Sequence, residues 1–146
     1  MVVDVNVLAV LACAIAAMIL GVLWYGPLFG KTWAQLMGWG SMTAEMLKEK
    51  QKGATPGYIA SFVGALVMAY ILSHSIAFAA SYPALASYSH LQVGLTTGFF
   101  MWLGFVAPVT VGTVFWDGRP WRLWFINAGY YLVQLLVMGT ILALWV

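Results

Sequence analysis

Few side chains in this sequence could do chemistry. Two histidines, His74 and His90, with Asp4 and Asn6, are the candidates for a metal-binding or proton-handling cluster. Imidazole and carboxylate both bind zinc, but a catalytic zinc takes three protein ligands and keeps one position open. No HExxH or comparable spacing occurs in the chain. By a count of 100° per residue, His74 points about 140° away from the small-residue face of its own helix, which argues against a site inside the bundle. Both histidines are read as satisfied or snorkelling, and no metal is expected. Cys13 is the single cysteine, so an intrachain disulfide and a cysteine-based metal cluster are excluded. The chain has no GxSxG elbow, P-loop or GxGxxG fingerprint. Asp117-Gly118-Arg119-Pro120 sets an acid near a base, but its composition is that of a turn. The expectation is a non-enzymatic protein with no catalytic residue and no cofactor.

Two amides complete the polar inventory. Asn127, Tyr131, Gln134 and Met138 share one face at helical spacing. An amide in hydrocarbon is costly unless it is paired, so Gln134 is expected to face other helices and bond one of them. Polar glue between helices is the favoured reading, ahead of a ligand contact. No Asp, Glu, Lys or Arg falls in the middle of any apolar stretch. Proton pumps and ion-coupled transporters place ionisable groups there, so this chemistry is disfavoured.

The elements that carry these residues follow from composition. Of 146 residues, 64% are hydrophobic and 7% charged, with a formal net charge of +2. An ordinary soluble domain has roughly 25% charged residues. So few charges cannot cover a globule this size in water, which excludes a soluble domain, a disordered chain and a nucleic-acid binder. The partner implied throughout is the lipid bilayer. A spanning helix needs about 20 apolar residues, and four stretches supply them: about 5–25, 57–80, 91–116 and 121–146. The fold class is therefore an all-α integral membrane protein: residues 1–146 as one domain, four transmembrane helices in a compact bundle, with a helical loop at 26–56. A cleaved signal peptide is disfavoured, because Asp4 replaces a basic leader and the first apolar run is too long.

The basic residues set the expected orientation. Lys31, Lys48, Lys50 and Lys52 lie in the first loop, and Arg119 and Arg122 lie at the third. The positive-inside rule makes loops 26–56 and 117–120 cytoplasmic and leaves both termini outside. Trp24, Trp116, Trp121 and Trp124 fall at the cytoplasmic ends and Trp145 at the outer end, where indole rings favour headgroups, while Trp102 lies deep in a span. In the first loop, residues 27–37 read as an interfacial segment with Trp33 and Leu36 inward and Lys31 toward phosphate. Residues 43–53 read as a short helix: Thr43 as N-cap, Glu45 in its first turn, lysines in its last and Gly53 as its stop.

Packing in lipid relies on small residues and polar links. On the third span, Gly94, Thr97, Gly98, Gly104, Pro108 and Gly112 fall within a wedge of roughly 120°. The second span carries Gly57, Ser61, Gly64, Ala65, Ser75 and Ala79. These two faces are expected to meet each other inside one chain, ahead of a homodimer contact. Pro108 removes the bond to the Gly104 carbonyl and is expected to kink its helix, with Thr110 and Thr113 available to the freed groups.

The run Gly21-Val22-Leu23-Trp24-Tyr25-Gly26-Pro27-Leu28-Phe29-Gly30-Lys31-Thr32-Trp33 resembles the hallmark of the family known as domain of unknown function 1761. Trp102-Leu103-Gly104-Phe105 with Pro108 is similar to its third-span motif, and Phe115 through Trp121, then Asn127-Ala128-Gly129-Tyr130-Tyr131, to its closing half. The resemblance implies a small, mainly bacterial, four-span protein of the inner membrane with no assigned activity and no catalytic residues to carry over. Physically, Trp24, Tyr25, Gly26, Pro27, Lys31 and Trp33 read as an interfacial corner: an aromatic anchor, a helix break, and a chain laid along the surface. The leading functional expectation is action through helix contacts, as a homo-oligomer or an accessory subunit of a larger membrane complex. The alternative is a small-solute or lipid transporter or channel using Pro108 and the Asn127/Gln134 face.

Overall fold

The computed structural model describes residues 4–145; the last residue of the expected fourth span, Val146, lies outside them. Within these residues every regular element is helical. Four helices are long and apolar enough to cross a membrane: α1 (Val7–Leu28), α4 (Thr55–Ala80), α5 (His90–Phe115) and α6 (Trp121–Leu144). Two shorter helices, α2 (Gly30–Leu36) and α3 (Ala44–Lys52), follow α1.

Local chemistry sets the helix ends. Asn6 Oδ1 accepts from the N–H groups of Leu8 and Ala9 at 3.1 and 3.2 Å, capping α1. Ser89 and Gln92 form a reciprocal capping box at α5. Thr43 caps α3 through the N–H of Met46, with Glu45 in the first turn and Gly53 at the C-cap. Gly118, at φ 62°, turns the chain between α5 and α6.

The corner after Trp24 is a break, as expected: Gly26 leaves helical geometry at φ −106°, ψ −105°, and the Phe29 N–H closes a π-type turn on the Trp24 carbonyl at 2.9 Å. Gly30 opens α2 so close to the chain behind it that a Cβ would lie 2.6 Å from the Tyr25 carbonyl oxygen. Glycine at 30 is thus a matter of space.

Pro108 acts through a second π turn, Trp102–Val106, in which the Ala107 N–H bonds the Trp102 carbonyl. The missing donor is absorbed one turn upstream, and Thr110 Oγ1 donates to the Val106 carbonyl at 2.7 Å.

Helix α6 is the hub. Gly94 and Gly98 of α5 lie against it so tightly that a Cβ on Gly98 would sit 2.7 Å from the Leu135 carbonyl oxygen, while a Cβ on Gly94 would strike the Gly139 backbone. This corrects the expectation that the small face of α5 meets α4. The unforeseen partner is Gly139. On α4, a Cβ added to Gly57 or Gly64 would meet nothing within 4 Å. Gly104 is likewise open, and Gly112 meets only Trp116. The reason is the π turn: one extra residue in a turn re-phases everything beyond it by roughly 100°, so the uniform count fails past Trp102.

On its other side α6 packs on α1. Ala9, Cys13, Ala14 and Ala17 of α1 join Ala65, Ala69 and Leu72 of α4 and Met138 and Leu142 of α6 in one buried cluster. Polar links stitch α1 to α6 along the whole bundle. From one end to the other they are Asn6 Nδ2 to the Trp145 carbonyl, Cys13 Sγ to the Met138 carbonyl, Tyr130 Oη to the Ala17 carbonyl and Trp24 Nε1 to the Ile126 carbonyl.

Candidate functional site

Three places bring the polar residues together. The first is the corner itself. Asn127 Oδ1 accepts from Tyr25 Oη at 3.1 Å and from Trp33 Nε1 at 3.2 Å. The two halves of the motif, some hundred residues apart in the chain, therefore close on one amide oxygen. Rings fill the surround: Tyr25 lies 5.2 Å from Tyr130 and 5.4 Å from Trp33, and Trp33 is edge-on to Trp39 at 4.9 Å. Lys50 Nζ sits 4.6 Å above the Trp39 ring, tying α3 to the same cluster. Trp33 thus points inward, and Lys31 is exposed. Both lone pairs of Asn127 Oδ1 have donors, so the corner is a finished structural joint. Depth could have revealed it, because a lone amide near one end of α6 stands level with two aromatic donors of the corner.

The second place is the middle of the bundle. Gln134 is 4% exposed. Its Nε2 reaches only the Met68 sulfur at 3.9 Å, and its Oε1 has no partner. It faces another helix, α4, but the link is weak. Tyr131 is at the surface and Met138 fully buried, so the shared face of α6 divides among different neighbours. Met68 and Leu135 also border an apolar groove of about 650 Å³ between α4 and α5, lined by Ile71 and Leu72 and reaching Phe105, Val106 and Thr110 at the π turn. The kinked helix and the groove coincide, whereas Asn127 and Gly104 lie away from it.

The third place is the end of the bundle where Asp4, His90 and Trp145 meet. Asp4, Asn6, Ser73, Tyr88, His90 and Trp145 line a vestibule of about 550 Å³ with an apolar floor of Ala9, Ile76, Val93 and Leu142. His74 is not part of it. Its Nδ1 lies 3.0 Å from the Tyr70 carbonyl and its ring packs on Tyr70 at 4.5 Å, a histidine satisfied by its own helix. Among the described residues no three His, Cys, Asp or Glu side chains are grouped as a metal ion requires.

Several tryptophans do more than anchor. Trp102 Nε1 donates to the Ala128 carbonyl at 2.7 Å and Trp124 Nε1 to Thr110 Oγ1 at 3.1 Å, bonding α5 to α6. Trp116, 87% exposed, stays free at the surface as a headgroup anchor would.

Comparison with curated proteins and with solved structures returns no match. Residues 8–143 match the family described as "Protein of unknown function (DUF1761)". That stretch takes in the corner, both π turns and all but the first residue of α1 and the last of α6 among the four long helices. With the match covering nearly the whole chain, the protein belongs to the DUF1761 family.

Proposed function

We propose that this is a non-enzymatic multi-pass protein of a bacterial inner membrane that works through helix contacts, as a homo-oligomer or as an accessory subunit of a larger membrane complex. The observation that supports this reading is the uncovered small-residue surface of α4. Gly57, Ala60 and Ser61 are exposed, Gly64 is half-buried, and neither glycine has a neighbour within 4 Å of its Cβ position. Gly57 and Ser61, and Ala60 and Gly64, stand four apart, the spacing by which helices approach closely in lipid. The matching stripe on α5 is already used inside the chain; this one is vacant. Its glycines are also the right place for a test, since a Cβ there meets nothing of its own fold. Cross-linking and native mass measurement in lipid discs should find the wild type associated and Gly57→Leu and Gly64→Leu dissociated. A wild type that is strictly monomeric and captures no membrane partner overturns the reading. The same proposal places the lysine-bearing α2–α3 segment in the cytoplasm and both termini outside, which reporter fusions at each terminus test.

A second reading, handling of a lipid or an apolar small solute, is favoured by the lateral groove between α4 and α5. It is lined by Val67, Ile71, Met101 and Phe105 and lies beside the π turn, where helix geometry is already relaxed. Co-purified lipid retained by a monomer would favour this second reading over the first.

A further inference from the structure

We infer that the vestibule at the Asp4/Trp145 end is a binding site for a small organic cation that carries an apolar substituent. The helix-contact reading above needs nothing at this end of the bundle, so the two stand separately. The vestibule draws on four segments: Asp4 and Asn6 before and at the start of α1, Ser73 from α4, Tyr88 and His90 at the start of α5, and Trp145 after α6. Its volume of about 550 Å³ falls within the range of small-molecule sites.

Charge selects the ligand class. Apart from the two histidines, Asp4 is the only acidic or basic side chain among the described residues at this end. All six lysines and arginines lie in the α2–α3 segment or at the α5–α6 turn, at the opposite end, where Trp33 meets Asn127. Asp4 therefore gives the vestibule a single negative side-chain charge, which favours a cation over an anion. One carboxylate with one imidazole is too few for a divalent metal, which takes at least three protein ligands. An ammonium needs fewer: a single carboxylate for its charge, aromatic faces against its alkyl groups, and an acceptor or two for any N–H. Tyr88 and Trp145 supply the rings, His90 and Ser73 the further acceptors. The floor then accounts for the substituent. Ala9, Ile76, Val93 and Leu142 are apolar and close the lower part of the cavity, so one end of the ligand is greasy. Asn6 holds the frame, because its Oδ1 caps α1 while its Nδ2 donates to the Trp145 carbonyl at 3.3 Å. That bond ties the start of α1 to the end of α6.

The test is calorimetric titration of the full chain in lipid discs with benzyltrimethylammonium, and with phenylacetate as an anion of similar size. Saturable binding of the cation is expected, with no binding of phenylacetate. Asp4→Asn, at an exposed position outside the helices, should weaken the cation by about fivefold or more, and Tyr88→Ala by about threefold or more. Ala86→Trp, which adds bulk to the lining and leaves every charged side chain in place, should abolish binding. A thermal unfolding trace for each variant shows that the fold is retained. No saturable heat with the wild type, equal binding of phenylacetate, or an Asp4→Asn affinity equal to wild type would overturn the inference.

Discussion

Substituting Gly94 by alanine tests the central contact of the bundle. On Gly94 a Cβ would strike the Gly139 carbonyl and stand 2.8 Å from the Ala143 Cβ. Carbon atoms at rest prefer about 3.5–4.0 Å, so α5 and α6 must part by about 1 Å. A gap of that size forfeits a quarter to a half of each dispersion contact along the seam. Overpacking of this kind costs roughly 1–3 kcal/mol, and alanine's better helix propensity returns up to about 1 kcal/mol. The net expectation for Gly94→Ala is a loss of about 2 kcal/mol, close to thirtyfold in the unfolding constant. The control is Gly64→Ala, measured on chains diluted to monomer, where the same methyl meets nothing of its own fold and propensity alone should leave stability unchanged or raised by up to about 1 kcal/mol. Both can be read by reversible SDS unfolding in mixed micelles, followed by tryptophan fluorescence. Adding Gly139→Ala to Gly94→Ala should cost less than the sum, because the first substitution has already opened the shared contact. Equal stability of Gly94→Ala and Gly64→Ala would refute the reasoning.

Gln134→Leu should stabilise the protein by about 1 kcal/mol in the same titration, since it removes a buried Oε1 without a partner and gives up only a weak bond to sulfur; a loss of stability would refute this. Asn127→Leu strands the donors of both Tyr25 and Trp33, at a cost of about 2–3 kcal/mol. Amide exchange over residues 30–36 should accelerate, and unchanged protection there would count against the joint. Cys13 is fully buried, so a maleimide should label it only after SDS is added; prompt labelling of the folded protein would contradict the placement of α1 against α6.

Hydropathy locates the four long helices to within a few residues, because a bilayer makes length and apolarity nearly sufficient signals. The cap at Thr43 and the turn at Gly118 are legible for the same local reason: each satisfies or bends backbone within its own few residues. Partnership is not legible. The small face of α5 is visible as a face, but nothing local says whether α4 or α6 covers it, and Gly139 is a single glycine in an otherwise bulky stretch. The π turn is hidden as well, since a proline announces a lost hydrogen bond without announcing whether the helix bends or takes in an extra residue. In the sequence the corner reads as an interfacial anchor and Asn127 as part of a separate face. Their union needs Tyr25 and Trp33 to sit level with one amide across the bundle, which only the assembled helices reveal.

The bonds between α1 and α6 bear on how the chain is built. A ribosome delivers α1 first and α6 last, yet Asn6, Cys13, Ala17, Trp24 and Tyr25 all find their partners on α6 or just beyond it. Until the final helix enters the bilayer, one flank of the first stays without its permanent neighbour and α2 has no amide to dock on. Maturation of the N-terminal third therefore waits on the C-terminal helix. A nascent chain halted before Asn127 would hold its earlier helices in the membrane with the corner still open.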